Sequence, residues 1–228
     1  MKRLITVMIA LAVGAAAPAF ATSVPVAVVE FSPNPDTAGN WHYNPSAEGG
    51  ILSFDQDVVV DRGLSSNDDA LVGASVSLPT FAVGGIPGGP YTLAPLGSSE
   101  IAIKSPDNVT TYLTGTLGSG DLGAIGTVAG GYTCFQTDIT DVTITAEGEA
   151  LGSAALALIG NMQEPSLDFE LSLQGGSGPG YYSFDDMLDE EHSGSGGFSG
   201  AMSVPEPATM ALLSFGSLAL MRRRRVLS

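Results

Sequence analysis

The chain has 228 residues, 44% of them hydrophobic and only 14% charged, with 30 glycines, 14 prolines, one cysteine and a formal net charge of −16. Six of the eight basic residues lie at the two ends, so residues 22–204 hold only Arg62 and Lys104 against 23 acidic residues, a net charge of −21. A field of that sign excludes DNA and RNA as partners, since phosphate binding needs a basic stripe, and it opposes self-association at low salt.

Lys2 and Arg3 open the chain, and an apolar run from Leu4 to Ala16 follows, closing on Ala19-Phe20-Ala21. A positive start, a short apolar run and a small-x-small ending are the marks of a secretory signal peptide. The run is shorter than the ~20 apolar residues that a membrane span requires. Residues 1–21 therefore read as a signal peptide cut by signal peptidase, with Ala19 and Ala21 as the small residues it accepts and Thr22 as the mature start.

Residues 22–192 read as one domain, long enough to bury a real core. Strands are predicted at Val24–Phe31, Gly50–Phe54, Val58–Val60, Ala74–Leu78, Tyr91–Leu93, Glu100–Ile103, Val109–Leu117, Leu122–Val128, Gly131–Phe135, Val142–Ala146 and Leu167–Leu173. The last is the clearest: Leu167, Phe169, Leu171 and Leu173 share one face, while Asp168, Glu170 and Ser172 share the other. A period of two marks a half-buried antiparallel strand. Two further segments have helical character, Ala150–Ile159 and Phe184–Glu191; the first reads as a strand. Gly/Pro-rich turns such as residues 84–90 and 118–121 punctuate the run. The predicted class is all-β, an antiparallel β-sandwich of jelly-roll or immunoglobulin-like kind.

Within this domain three groups of residues carry candidate chemistry. Trp41, His42 and Tyr43, flanked by Asn40 and Asn44, combine aromatic faces with amides as a sugar-binding surface does, and Tyr181 with Tyr182 offers a second platform. The plainer reading has Trp41 anchoring the core. Asp55, Asp57, Asp61, Asp68 and Asp69 supply the clustered oxygen ligands that calcium prefers. They lack the glycine and closing glutamate of an EF-hand, and solvated acidic faces are the simpler reading. Glu147/Glu149 and Asp168/Glu170 are carboxylate pairs of the type a glycan hydrolase uses. Metalloprotease, nucleophile-elbow, P-loop and dinucleotide motifs are missing, and Cys134, the lone cysteine, has no histidine near it in sequence. The expected role is non-enzymatic, with no cofactor apart from a calcium option.

Residues 193–203, beginning Ser193-Gly194-Ser195-Gly196-Gly197, read as a flexible Gly/Ser stalk. Residues 204–228 then open on Val204-Pro205-Glu206-Pro207, where two prolines break any helix. An apolar stretch from Ala208 to Met221 follows, predicted as a C-terminal transmembrane helix, and Arg222, Arg223, Arg224 and Arg225 hold its end on the cytoplasmic side. Fourteen helical residues span about 21 Å, against a hydrocarbon core of ~30 Å. A weakly held span suits a segment meant to be cut away.

Val204-Pro205-Glu206-Pro207-Ala208-Thr209, a short hydrophobic helix and a terminal arginine cluster resemble the PEP-CTERM sorting domain. The resemblance covers about 25 residues of the 228. It implies a Gram-negative source with an exosortase, a membrane-embedded enzyme that recognises the tail. It also implies transient residence in the inner membrane, then display at the cell surface or release, often beside exopolysaccharide. The resemblance assigns the recognition motif to Pro205, Glu206 and Pro207 and stop-transfer to the arginines. The expected function is thus an exported, processed surface or extracellular-matrix protein with a structural or interaction role. The alternatives are a module binding extracellular polysaccharide, calcium-dependent in one form, and a small glycan hydrolase.

Overall fold

The computed structural model describes residues 26–34, 40–46, 49–55, 58–64, 66–85, 91–125, 132–162, 165–175, 187 and 192–204. Its strands are β1 (Val26–Pro33), β2 (Trp41–Ser46), β3 (Gly49–Phe54), β4 (Val58–Gly63), β5 (Ser75–Ser77), β6 (Phe81–Gly85), β7 (Tyr91–Pro95), β8 (Glu100–Lys104), β9 (Thr111–Leu117), β10 (Gly120–Ile125), β11 (Tyr132–Ile144), β12 (Leu167–Gln174), β13 (Gly194–Gly196) and β14 (Phe198–Val204). Two short helices, α1 (Ala146–Ala150) and α2 (Ala154–Gly160), separate β11 from β12.

Eight strands, β12-β14-β1-β4-β5-β8-β9-β11, close into a ring because β11 pairs back onto β12. A second run, β11-β10-β7-β6-β3-β2-β13, returns to the same place, since β13 passes through Gly197 into β14. The two rings are halves of one barrel. β1 and β2 are successive lengths of a single bent stave, as are β3/β4, β5/β6, β7/β8, β9/β10 and β13/β14, while β11 and β12 run through both halves. Each stave lies antiparallel to the next in sequence and the last pairs with the first, which makes an up-and-down barrel.

This corrects the β-sandwich expectation, both jelly-roll and immunoglobulin-like. A strand with one face buried alternates in the same way in a sandwich or a barrel; only ring closure distinguishes them, and closure is a long-range pairing. An eight-stave barrel is just wide enough for its side chains to fill. Val28, Phe31, Trp41, Leu52, Phe81, Leu93, Ile101, Leu113, Phe135, Ile139, Phe169, Leu171 and Met202 are all buried inside. A chain of ring contacts runs through the interior, Phe198–Phe54–Phe81–Phe135–Phe169–Phe31, with centroids 5.0–6.1 Å apart. Edge-to-face and offset pairs of this kind add to simple burial. Outward positions on the same strands carry Thr92, Asp121, Gln136, Asp138 and Glu170, polar side chains on the wall's outer face. That polarity is the inverse of a membrane barrel, whose outer face is apolar.

Other expectations change as well. The segment 150–159, expected as a strand, lies largely in helices, because Thr145 and Ser153 cap successive turns: each side-chain oxygen accepts from a backbone N–H three residues on, Gly148 and Leu156, at 3.0 and 3.1 Å. Residues 193–203, expected as a flexible stalk, form most of the closing stave. β14 pairs with β12 from Asp168↔Ser203 to Leu173↔Phe198 and with β1 from Val26↔Val204 to Phe31↔Gly200, and β13 pairs with β2. The predicted strands 131–135 and 142–146 are parts of one strand, β11, kinked at Asp141, whose φ is 52°. β2 and β6 were not expected from the sequence. Residues 1–21, the segment 184–191 apart from Met187, and the predicted transmembrane helix lie outside the described residues. Among the described residues, no helix is long and apolar enough to cross a membrane.

The staves turn at two mouths. At one, the exit mouth, β1 begins and β14 ends, and connections 64–74, 105–110 and 145–166 cross between staves. At this mouth Ala155, Leu156 and Ile159 of α2 are buried while Ala154, Ala157 and Leu158 point out.

Candidate functional site

The exit mouth is built around the end of β14. Ser203 stands opposite Asp168 on one side and Ala27 on the other, and Val204 stands opposite Val26. The chain is therefore held in a ladder up to Val204, with Pro205-Glu206-Pro207 next in sequence. Proline cannot donate to a ladder, so the Pro205-x-Pro207 pair is a natural end for the strand. Pro205, Glu206, Pro207 and Arg222–Arg225 lie outside the described residues, as do Ala19 and Ala21.

At the same mouth, Asp69 accepts hydrogen bonds from the backbone N–H of Leu71 at 2.9 Å and of Ala155 at 3.1 Å. It thereby ties the 64–74 connection to the start of α2. Partial burial pushes the Asp69 carboxyl up, but the Ser153 hydroxyl and the N–H groups of Leu71, Ala155 and Ala154 together outweigh it and hold it below the usual carboxylate range. As pH falls the unfolded carboxyl protonates first, so this stability is present above the unfolded pKa and lost as pH drops through the lowered folded one. Asp69→Ala is expected to cost ~1 kcal/mol at neutral pH, the size of a helix-cap deletion. It should also remove part of the acid sensitivity below about pH 4, as urea titrations at pH 7 and pH 3 would show.

The other candidate calcium ligands do not join Asp69. Asp55 accepts from the backbone N–H of Asn40 at 2.8 Å and sits 3.1 Å from His42 Nε2, tying the start of β2 to the end of β3. β4 separates Asp55 from the 64–74 connection, roughly 20 Å for six residues. Asp61 and Asp68 are exposed, and Asp57 lies outside the described residues. Among the described residues, no group of three or more His, Cys, Asp or Glu side chains converges on a metal position.

The aromatic cluster divides across the wall. Trp41 and Tyr43 face inward and are 0% and 4% exposed, while His42 faces out. Trp41 Nε1 donates to the Gln174 carbonyl at 3.1 Å. This corrects the sugar-platform reading for Trp41 and Tyr43: an external ring cannot stack on an aromatic face that is packed inside a filled barrel. Tyr181 and Tyr182 lie outside the described residues.

The two carboxylate pairs considered for a hydrolase lie on separate elements. Glu147 and Glu149 are exposed in the first turn of α1. Asp168 and Glu170 lie on the outer wall of β12, where Glu170 accepts from Cys134 Sγ at 3.3 Å. Partial burial and then the carboxylate of Asp138, directly opposite, push the Asp168 carboxyl up. Burial and the adjacent Glu170 push the Cys134 thiol up to about 11, the opposite of what a nucleophilic cysteine needs.

β4 meets β5 through the register pair Val59↔Ser75, extended by hydrogen bonds between Val60 and residues 73 and 74. A hollow of about 310 Å³ opens there, lined by Phe54, Asp55, Val58, Ser75, Val76, Ser77, Leu78, Lys104 and Asn108. Its volume is at the small end of the range for ligand sites, ~300–1,000 Å³.

Residues 203–225 match the PEP-CTERM protein-sorting motif. No curated protein and no solved structure matches the chain. The matched segment starts at Ser203, inside β14, so the sorting signal and the barrel share residues 203 and 204.

Proposed function

We propose that this chain is an exported, non-enzymatic protein that is held at the inner membrane by its C-terminal tail, cut there by exosortase, and displayed on or released from the cell surface as an acidic β-barrel. The sorting motif at residues 203–225 carries the reading, because it implies export and processing by exosortase at the membrane. The charge pattern supports it: apolar and basic residues are concentrated in residues 1–21 and 208–225, both expected to be removed, and what lies between carries −21 over residues 22–204. The outer wall, polar on strand after strand, suits a domain that works in water. A structural or interaction role in an envelope or matrix fits a filled barrel whose carboxylates stand on its outer face, where divalent cations can bridge them.

The test is the intact mass of the protein recovered outside its native host. The expected species begins at Thr22 and ends near Pro205, without Arg222–Arg225. A full-length species recovered from the cytosol would overturn the reading.

A further inference from the structure

Four large hydrophobic side chains stand out from the described surface: Val72 at 37% exposure, Leu96 at 48%, Val109 at 79% and Leu158 at 39%. Leu96 lies midway along a stave, just past β7. The other three belong to the three connections that cross the exit mouth, Val72 in 64–74, Val109 in 105–110 and Leu158 in α2. The outward face of α2 is Ala154, Ala157 and Leu158, and no charged residue occurs from Ala150 to Gln163. Three of the four large hydrophobics exposed among the described residues thus lie at the mouth from which the apolar tail leaves.

Reach is the second observation. β14 holds the chain in register to Val204, and the apolar stretch begins at Ala208. Four Cα steps at 3.3–3.6 Å each span at most about 14 Å. With the tail inserted from Ala208, the mouth is kept within about 14 Å of the hydrocarbon edge, no more than about 10 Å beyond a headgroup region of ~5–8 Å. There it meets lipid at high effective concentration without needing intrinsic affinity.

On this basis, and resting on the sorting reading above, we infer that the exit mouth, through Leu158, Ala157, Val72 and Val109, is the face by which the unprocessed protein rests on the lipid surface. Asp68, Asp107, Glu147 and Glu149 stand on connections at the same mouth and disfavour anionic headgroups. The contact is therefore one with zwitterionic lipid, and it lasts only while the tail holds it. Cutting the tail removes the tether, and the acidic barrel leaves.

The experiment uses the mature chain with its tail, residues 22–228, reconstituted in phosphatidylcholine vesicles that contain a lipid-borne quencher at headgroup depth. With Cys134→Ser as background, a fluorophore is attached at Leu158→Cys, at Val109→Cys and, on the outer wall away from this mouth, at Thr92→Cys. At least twofold stronger quenching at 158 and 109 than at 92 is expected. Inserting twenty Gly/Ser residues between Val204 and Pro205, a coil of about 25 Å root-mean-square span, should abolish the difference. Equal quenching at 158 and 92 in vesicle-bound protein would overturn the lipid contact, as would a difference that survives the insertion. Failure of the protein to float with the vesicles would overturn the sorting reading together with the contact.

Discussion

A chain ending at Val204 is expected to unfold in one cooperative transition, whereas one ending at Ser193 should show no folded baseline at all. The difference is the closing stave. Removing residues 194–204 takes Phe198 and Met202 out of the core, worth ~1.5–3 kcal/mol each. It also unpairs β12 and β1 along the length of β14. The apolar loss alone is comparable with the lower part of the ~5–15 kcal/mol that holds a domain together, before any open edge is counted. Far-UV circular dichroism against urea, with both chains starting at Thr22, measures it. Were residues 193–203 a stalk, the two melts would superimpose. The result also bears on the proposed processing: a cut N-terminal to Val204 would remove part of the closing stave, so the fold favours a cut at or beyond Val204.

The closing stave was illegible for a physical reason. Gly/Ser composition signals a coil because small side chains bury little surface. Here the glycines make room instead. A Cβ on Gly200 would run into the ring of Phe31 and the carbonyl of Glu170, and one on Gly196 into the carbonyl of Gln174. The large residues that need that space lie far away in sequence, so no local pattern reveals them. By contrast, β12 was readable from its alternation alone, and its burial follows that alternation residue by residue. β2 was hidden by Asn44 and Pro45, poor strand residues within an otherwise short run. The helices had a local signal, Thr145 and Ser153 before Ala-rich turns, which outweighs the strand-like look of Leu156 and Ile159. At the candidate site, the sorting motif was legible because a linear signal is read as sequence. The exit mouth was not, because it is assembled from three connections spread over a hundred residues.

Replacing Trp41 with alanine is expected to destabilise the barrel by ~3–5 kcal/mol, as for a fully buried tryptophan, while His42→Ala should change stability by less than about 0.5 kcal/mol. The neighbours differ so much because the wall is one residue thick. Trp41 fills the interior and passes beneath Gly196 to reach the Gln174 carbonyl, linking the first stave to the seventh across the last. His42 points outward to Asp55, with its side chain 44% exposed, where an ion pair is worth little. Trp41→Phe separates the two contributions. It keeps an aromatic ring in the core but leaves the carbonyl without its N–H donor, so a loss of ~1–3 kcal/mol remains. Urea midpoints for the three variants decide the matter. The sole tryptophan also reports on itself in the wild type, with blue-shifted emission when folded and red-shifted when unfolded. If Trp41→Ala left the midpoint unchanged and instead abolished retardation in polysaccharide affinity gels, the indole would be a surface contact. Its place in the interior would then be wrong, and with it the register that closes β2 onto β13.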